Sequence, residues 1–256
     1  MNILVLVKAV PLLGEERLDD DWRTDRSDLE ANGADEYCLE RALQLTETGG
    51  GEVSVLTMGP AGATEALRKA LAMGAARAYH VEDAALAGSD IRVTIAVLEA
   101  AVRKIDPDLV FSGADSSDGQ GGVVGAALAA RLGLPYLGNA ADVRLLDGGV
   151  RIRRLSPTGH DVLEAPLPAV VMGMQLLGEP RYPSLRGIMG ARKKPTTTWT
   201  LADLGIDAGA VGTASATTVV RSAVPPAGRA GGTVIDAPPD EAATAIVEFL
   251  GQKGLL

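Results

Sequence analysis

Gly113-Ala114-Asp115-Ser116-Ser117-Asp118-Gly119-Gln120-Gly121-Gly122 lies between an aliphatic run and an amphipathic one, so it joins a strand to a helix. Its glycines allow backbone amides to turn inward, and the N-terminus of the next helix adds partial positive charge. Together these can cradle a phosphate. The lysine of a Walker loop is missing, which excludes a P-loop. On spacing alone, a phosphate cradle and a plain flexible strand-to-helix loop fit equally. Asp115 and Asp118 would repel a phosphate unless bridged or turned away, so beside a nucleotide they are expected to face solvent or cap the helix.

A second candidate surface is Glu179–Pro195, EPRYPSLRGIMGARKKP, with Arg181, Arg186, Arg192, Lys193 and Lys194 against the single acid Glu179. Pro180 and Pro183 argue against a regular helix there. Its apolar residues, Tyr182, Leu185, Ile188 and Met189, are interleaved with the cations. That mixture suits a protein-contacting surface with apolar anchors and a charged rim. It suits equally a connector packed on its own domain. His80, His160 and Cys38 form no cluster and no metal-ligand spacing, and both histidines read as structural. A lone cysteine excludes an internal disulfide and fits a reducing compartment such as the cytoplasm.

The elements around these residues follow from periodicity. Asn2–Val7 is a continuous aliphatic run, the pattern of a strand buried on both faces. A polar stretch to Asn32 reads as a long surface loop. Asp35–Thr48 is a helix, Glu52–Thr57 a strand, Ala61–Met73 a helix ended by Gly74, and Ala78–Val81 a strand. Ser89 or Asp90 caps a helix to about Ile105, then come strand Leu109–Ser112 and a helix near Val123–Leu132. This alternation predicts a doubly wound α/β domain with a mostly parallel sheet, whose ligands bind at the carboxyl ends of the strands. Ala141–Leu146 and Val150–Leu155 flank Asp147-Gly148-Gly149 as a hairpin, and Ala169–Met174 is a further buried strand. Beyond it, Val224–Gly232 reads as loop and Asp240–Leu250 as a last helix, capped by Asp240 and Glu241. The expected division is residues 1–195 as the α/β domain and 196–256 as an extended C-terminal arm.

Composition narrows the function classes. A net charge of −9 repels phosphate backbones, and 3% aromatics leave few faces for stacking bases, so nucleic acid is excluded as a partner. MNILVLVKAV lacks a basic n-region and reads as a first strand rather than a signal peptide. No apolar run reaches the ~18 residues of a membrane helix, so the chain is not expected to be membrane-embedded.

Glu179 through Met189 with Ala191–Lys194 closely resembles the signature of electron-transfer flavoprotein β subunits. The resemblance extends in order along nearly the whole chain. It takes in Val5–Lys8 with Val10-Pro11, Asn32–Leu45, Met58–Pro60 with Leu71–Ala75, Gly113–Gly125, and Pro226–Gly232. It departs at Leu12, where the family often has an acid, at Gly178, often Asn, and at Asp115-Ser116-Ser117, where a Gln and an apolar pair are common.

The resemblance implies a Rossmann-like, adenine-nucleotide-binding domain that is an electron carrier rather than an enzyme. Its partner would be an α subunit that holds most of the FAD, with the C-terminal arm packed on that subunit. A structural AMP would contact Leu6; Asn32, Gly33, Ala34 and Asp35; Met58; and Gly113, Ala114, Asp115, Ser116, Ser117, Asp118, Gly119, Gln120, Gly121, Gly122, Val123 and Val124. Electrons would come from acyl-CoA and related dehydrogenases, as in fatty acid oxidation, and pass to a quinone oxidoreductase. Leu185 would anchor the dehydrogenase, with Arg186, Ile188 and Met189 around it. Three alternatives remain. One is a bifurcating relative with FAD in place of AMP. Another is a universal-stress-type nucleotide-binding protein, which leaves the basic arm unexplained. The third is a PP-loop enzyme, suggested by Ser112-Gly113-Ala114-Asp115-Ser116. Against it, the loop follows the fourth strand rather than the first, and the aspartate comes one position early.

Overall fold

The computed structural model describes residues 1–14, 17–224, 231–232 and 234–256. Met1–Val220 forms one compact unit and Arg221–Leu256 another. In chain order the first unit runs β1 (Asn2–Leu6), β2 (Ala9–Pro11), β3 (Leu29–Ala31), α1 (Gly33–Gly49), β4 (Glu52–Met58), α2 (Thr64–Met73), β5 (Arg77–Val81) and α3 (Ile91–Ile105). It continues with β6 (Leu109–Gly113), α4 (Val124–Leu132), β7 (Tyr136–Leu146), β8 (Gly149–Ser156), β9 (Gly159–Pro166), β10 (Ala169–Gly173), α5 (Leu185–Ala191), β11 (Thr196–Trp199) and α6 (Gly212–Ser215).

Side chains alternate between the two faces of a strand, so a strand covered on both sides must be apolar throughout. In β1, Ile3 and Val5 join the core under α1 and α2, while Leu4 and Leu6 join the core under α3 and α4. In β6, Leu109 and Phe111 take the first face and Val110 the second. Each large aliphatic side chain buried this way contributes about 1.5–3 kcal/mol.

The nine strands lie in the order β11-β5-β4-β1-β6-β10-β7-β8-β9. Pairing is parallel from β11 to β7 and antiparallel through β7, β8 and β9. From β1 the chain moves outward through α1, β4, α2 and β5, then returns across the opposite face through α3 to β6. The strand order therefore reverses between β1 and β6. The crevice at their carboxyl ends is where a doubly wound sheet offers a ligand site. The fold class read from the sequence is the one observed.

Several elements differ from expectation. The polar stretch before Asn32 contains a small antiparallel ladder, with Ala9 opposite Ala31 and Pro11 opposite Leu29. The hairpin turn is two residues, Asp147 and Gly148, and β8 runs on into a third antiparallel strand, β9. Asp90, rather than Ser89, caps α3, its carboxylate accepting from Val93 N at 3.0 Å. Residues 196–220 belong to the first unit, because β11 pairs with β5 and Trp199 stacks on Tyr79 with ring centroids 4.9 Å apart.

In the second unit, α7 (Pro239–Gln252) has Asp240 and Glu241 in its first turn. Neither caps it, because the capping position is Pro238 and Pro239 opens the helix. Within Val224–Gly232, residues 225–230 lie outside the described residues, and with them most of the Pro226–Gly232 match. Among the described residues, no helix is long and apolar enough to cross a membrane.

Candidate functional site

The end of β1, the start of α1 and the loop after β6 meet at the switch point. Asp35, in the first turn of α1, accepts a hydrogen bond from Lys8 N at 2.8 Å. Gly113 ends β6 against the same carboxylate. A Cβ at Gly113 would lie 2.3 Å from Asp35 Oδ1 and 3.0 Å from the Ala34 carbonyl carbon, so only glycine lets the two segments approach. Asn32, buried at the capping position of α1, caps nothing there. It holds the loop instead, donating through Nδ2 to Asp115 O at 2.8 Å and accepting from Ser117 N at 3.3 Å.

Asp118 does not face solvent and does not cap α4, as the repulsion argument had anticipated. Its side chain is 2% exposed and bridges two cations, Lys8 Nζ at 2.7 Å and Arg26 Nη2 at 3.0 Å. Lys8 Nζ also donates to Ser116 Oγ at 3.0 Å, and Arg26 Nη1 to Ala9 O at 3.0 Å. Burial would raise the pKa of Asp118, but hydrogen bonds and charge from Lys8, Ser116 and Arg26 outweigh it, so the pKa sits below the usual carboxylate range. Asp115 is exposed, as expected. Asp35 behaves oppositely. Burial pushes it up to about 7, against the opposing hydrogen bonds of Lys8, Asn32 and Gly113. Burial and the neighbouring Asp35 also raise the Cys38 thiol, which donates to Ser112 O at 3.2 Å and stays protonated and inert.

Beyond Asp118 the loop opens. Gly119 through Val123 are exposed, and Gln120 and Gly122 take positive φ angles of 44° and 61°. The N–H groups of Gly121, Gly122 and Val123 hydrogen-bond to no described residue, and α4 starts without a side-chain cap. Ser112 Oγ, at the end of β6, is buried without a partner, facing the first turn of α4. A run of open amides, an uncapped helix start and an orphaned hydroxyl are what a phosphate or ribose would satisfy. Leu6 and Met58 both turn to the α3/α4 face beside this crevice. Sequence reasoning missed Lys8 and Arg26. Lys8 stands directly after the first strand, a signal that could have been used, but Arg26 lies in a polar stretch with none.

The basic segment is a separate surface. The two prolines precede a short helix rather than preventing one: Ser184 caps α5, accepting from Gly187 N at 3.0 Å. A Cβ on Gly187 would lie 2.3 Å from Ala72 O, so α5 presses onto α2. Both ends of the segment are fastened. Arg181 donates to Glu40 and Glu47 of α1, and Lys194 Nζ donates to Leu71 O at 2.8 Å and Ala75 O at 2.7 Å. Between these fastenings Tyr182 is 90% exposed, Leu185 74%, Ile188 52% and Met189 67%, with Arg186, Arg192 and Lys193 exposed around them. Four exposed apolar side chains thus form a crown on a fixed base, a candidate contact surface.

Comparison with known proteins places the chain in a family. Residues 22–204 match the electron transfer flavoprotein domain. The chain is 42% identical to the electron transfer flavoprotein subunit beta of Mycobacterium tuberculosis over 97% of both chains. It is 37% identical to the caffeyl-CoA reductase–Etf complex subunit CarD of Acetobacterium woodii over 100% of both. It is 36% identical to protein FixA of Azorhizobium caulinodans over 90% of this chain and 86% of that one. With a family match spanning most of the first unit and relatives aligned end to end, the chain belongs to the electron transfer flavoprotein β-subunit family.

Proposed function

We propose that this chain is the electron-carrier subunit of a two-chain flavoprotein. It pairs with an α subunit that holds most of the FAD, and it keeps an AMP at the β1/β6 switch point. It accepts electrons from acyl-CoA and related dehydrogenases and hands them to a quinone oxidoreductase. The flavin, when bound, supplies all the redox chemistry. What this chain supplies is binding and orientation: a nucleotide seat and a docking surface.

The observation that carries the reading is the pairing of these two sites on one domain. The N–H groups of Gly121, Gly122 and Val123 and Ser112 Oγ offer unsatisfied donors at the switch point, and Leu6 and Met58 lie on the α3/α4 face beside them. The neighbouring Asn32, Asp35 and Gly113 fix the loop's approach and leave the outer amides free. Leu185 stands at the centre of the exposed apolar crown, where a desolvated anchor would contribute most to docking.

The test is to co-express the chain with an electron-transfer flavoprotein α subunit from the same source. The purified complex is examined by its visible spectrum and by chromatography of the nucleotides released on denaturation. A yellow heterodimer releasing FAD and AMP supports the reading. Two FAD and no AMP would replace it with a bifurcating role. A colourless, stable monomer carrying ATP would overturn it.

A further inference from the structure

Asp118 lies in the middle of the glycine loop, yet its carboxylate is spent on the other side of the crevice. Both oxygens are engaged, Oδ1 by Lys8 Nζ and Oδ2 by Arg26 Nη2. Those cations come from positions 110 and 92 residues away in sequence. Lys8 stands just past β1, and Arg26 stands just before β3 and reaches back to Ala9 O. The loop turns on itself over the same group. Ser116 Oγ accepts from Lys8 Nζ and from Gly119 N at 3.3 Å, and Gln120 N donates to Ser116 O at 2.8 Å. The positive φ of Gln120 follows directly after this turn. A residue with a β-carbon is held in the left-handed region only where its surroundings over-determine it. The turn from Ser116 to Gly119, fastened through Asp118, provides that constraint, and it aims the amides of Gly121 to Val123 outward.

We infer that Lys8 and Arg26 are positioning residues for the nucleotide seat. Acting through Asp118, they latch the glycine loop in the conformation that presents its free amides to a phosphate. Asp118 is then no ligand of the nucleotide but the keeper of the loop's shape. Without the latch, the carboxylate would be free to swing toward the anion it now turns away from. Lys8 and Arg26 neutralise the Asp118 carboxylate, so the latch removes its repulsion toward an anionic ligand. Asn32 holds Asp115 O and Ser117 N, so it fastens the start of the turn, but it makes no hydrogen bond to Asp118.

This rests on the reading of the crevice as a nucleotide seat, and the test separates the two. AMP is titrated calorimetrically into the nucleotide-stripped heterodimer for wild type, Asp118→Asn, Lys8→Met, Lys8→Arg and Arg26→Met. FAD absorbance and thermal midpoint are read on each as controls for assembly. The latch predicts that Asp118→Asn, Lys8→Met and Arg26→Met each weaken AMP at least about tenfold, the modest end of losses from breaking a partly buried charge pair. Lys8→Arg, which keeps a cation beside Asp118, stays within about threefold of wild type. Folded Asp118→Asn and Arg26→Met heterodimers that bind AMP as tightly as wild type would overturn the latch alone. A wild-type heterodimer that binds no AMP would remove the seat and the latch together.

Discussion

Arg181 grips Glu40 at two points, with Nε 2.7 Å from Oε2 and Nη2 3.0 Å from Oε1, across 141 residues of chain. The same guanidinium reaches Glu47 Oε1 at 2.6 Å, about two turns further along the same face of α1. A planar fork on two carboxylates fixes direction as well as distance. The segment carrying Leu185 therefore leaves the domain at an angle set by α1, the helix whose other end shapes the nucleotide seat.

Replacing Arg181 with Ala should cost about 1–2 kcal/mol of stability. That lies between the value of an exposed pair and that of a buried one, because Arg181 is 34% exposed and Glu40 only 5%. Urea denaturation of the two proteins measures it. Burial raises the Glu40 pKa, but the hydrogen bonds from Arg181 and Gln44 overcome this and hold it below its usual value near 4.5. A depressed carboxylate stabilises the fold above its unfolded value, and that contribution is lost as pH falls through the folded one. The stability difference between wild type and variant should accordingly shrink below about pH 4.5.

Leu185→Ala should slow electron transfer from dehydrogenases without loosening FAD. Losing an exposed apolar anchor that becomes desolvated on docking costs about 2 kcal/mol or more of binding. In a dehydrogenase-coupled assay this is a rise in KM of roughly thirtyfold. An unchanged rate would remove Leu185 from the docking surface.

Asp35 carries a pH signature of the opposite sign. Its folded value is pushed up to about 7 from 3.8, so between those limits the folded protein holds a proton that the unfolded chain has released. Stability should fall as pH rises through that window, by up to about 1 kcal/mol per pH unit. Asp35→Asn should flatten that slope in thermal melts recorded from pH 4 to pH 8.

Gly113→Ala should destabilise the protein by about 1–3 kcal/mol, because the added methyl overlaps Asp35 and the backbone of Ala34. Nothing flexible stands on that side to yield. Bound nucleotide should fall with the thermal midpoint, since the change wedges α1 away from the loop. Gly251→Ala, in α7 with open space around its Cβ position, is the matched control.

The central strands were legible because burial on both faces leaves a continuous aliphatic signature, as in Ile3–Leu6. Asp90 was legible because a cap acts locally. Edges were not. Thr196–Trp199 is exposed on one side and reads as a polar connector until it pairs with β5. β9 escaped because only its ladder with β8, from Gly149 opposite Pro166 to Ser156 opposite Gly159, makes it a strand. In Glu179–Pro195 the prolines were weighed without their position. Both precede Ser184, so they delimit α5 instead of breaking it. The role of Asp118 depends on Lys8 and Arg26, which are distant in sequence, and repulsion alone pointed the carboxylate the wrong way. The glycines of the loop were visible in the sequence, but the charges that hold its shape come from another part of the chain.

The most direct measurement of the central claim is anaerobic. The purified heterodimer of this chain with its α subunit is mixed with a catalytic amount of an acyl-CoA dehydrogenase and its acyl-CoA substrate, and the flavin absorbance is followed. The account predicts that the flavin of the heterodimer bleaches in wild type and much more slowly in Leu185→Ala at equal flavin content. A wild-type flavin that stays oxidised, with the dehydrogenase fully active toward an artificial acceptor, would contradict it.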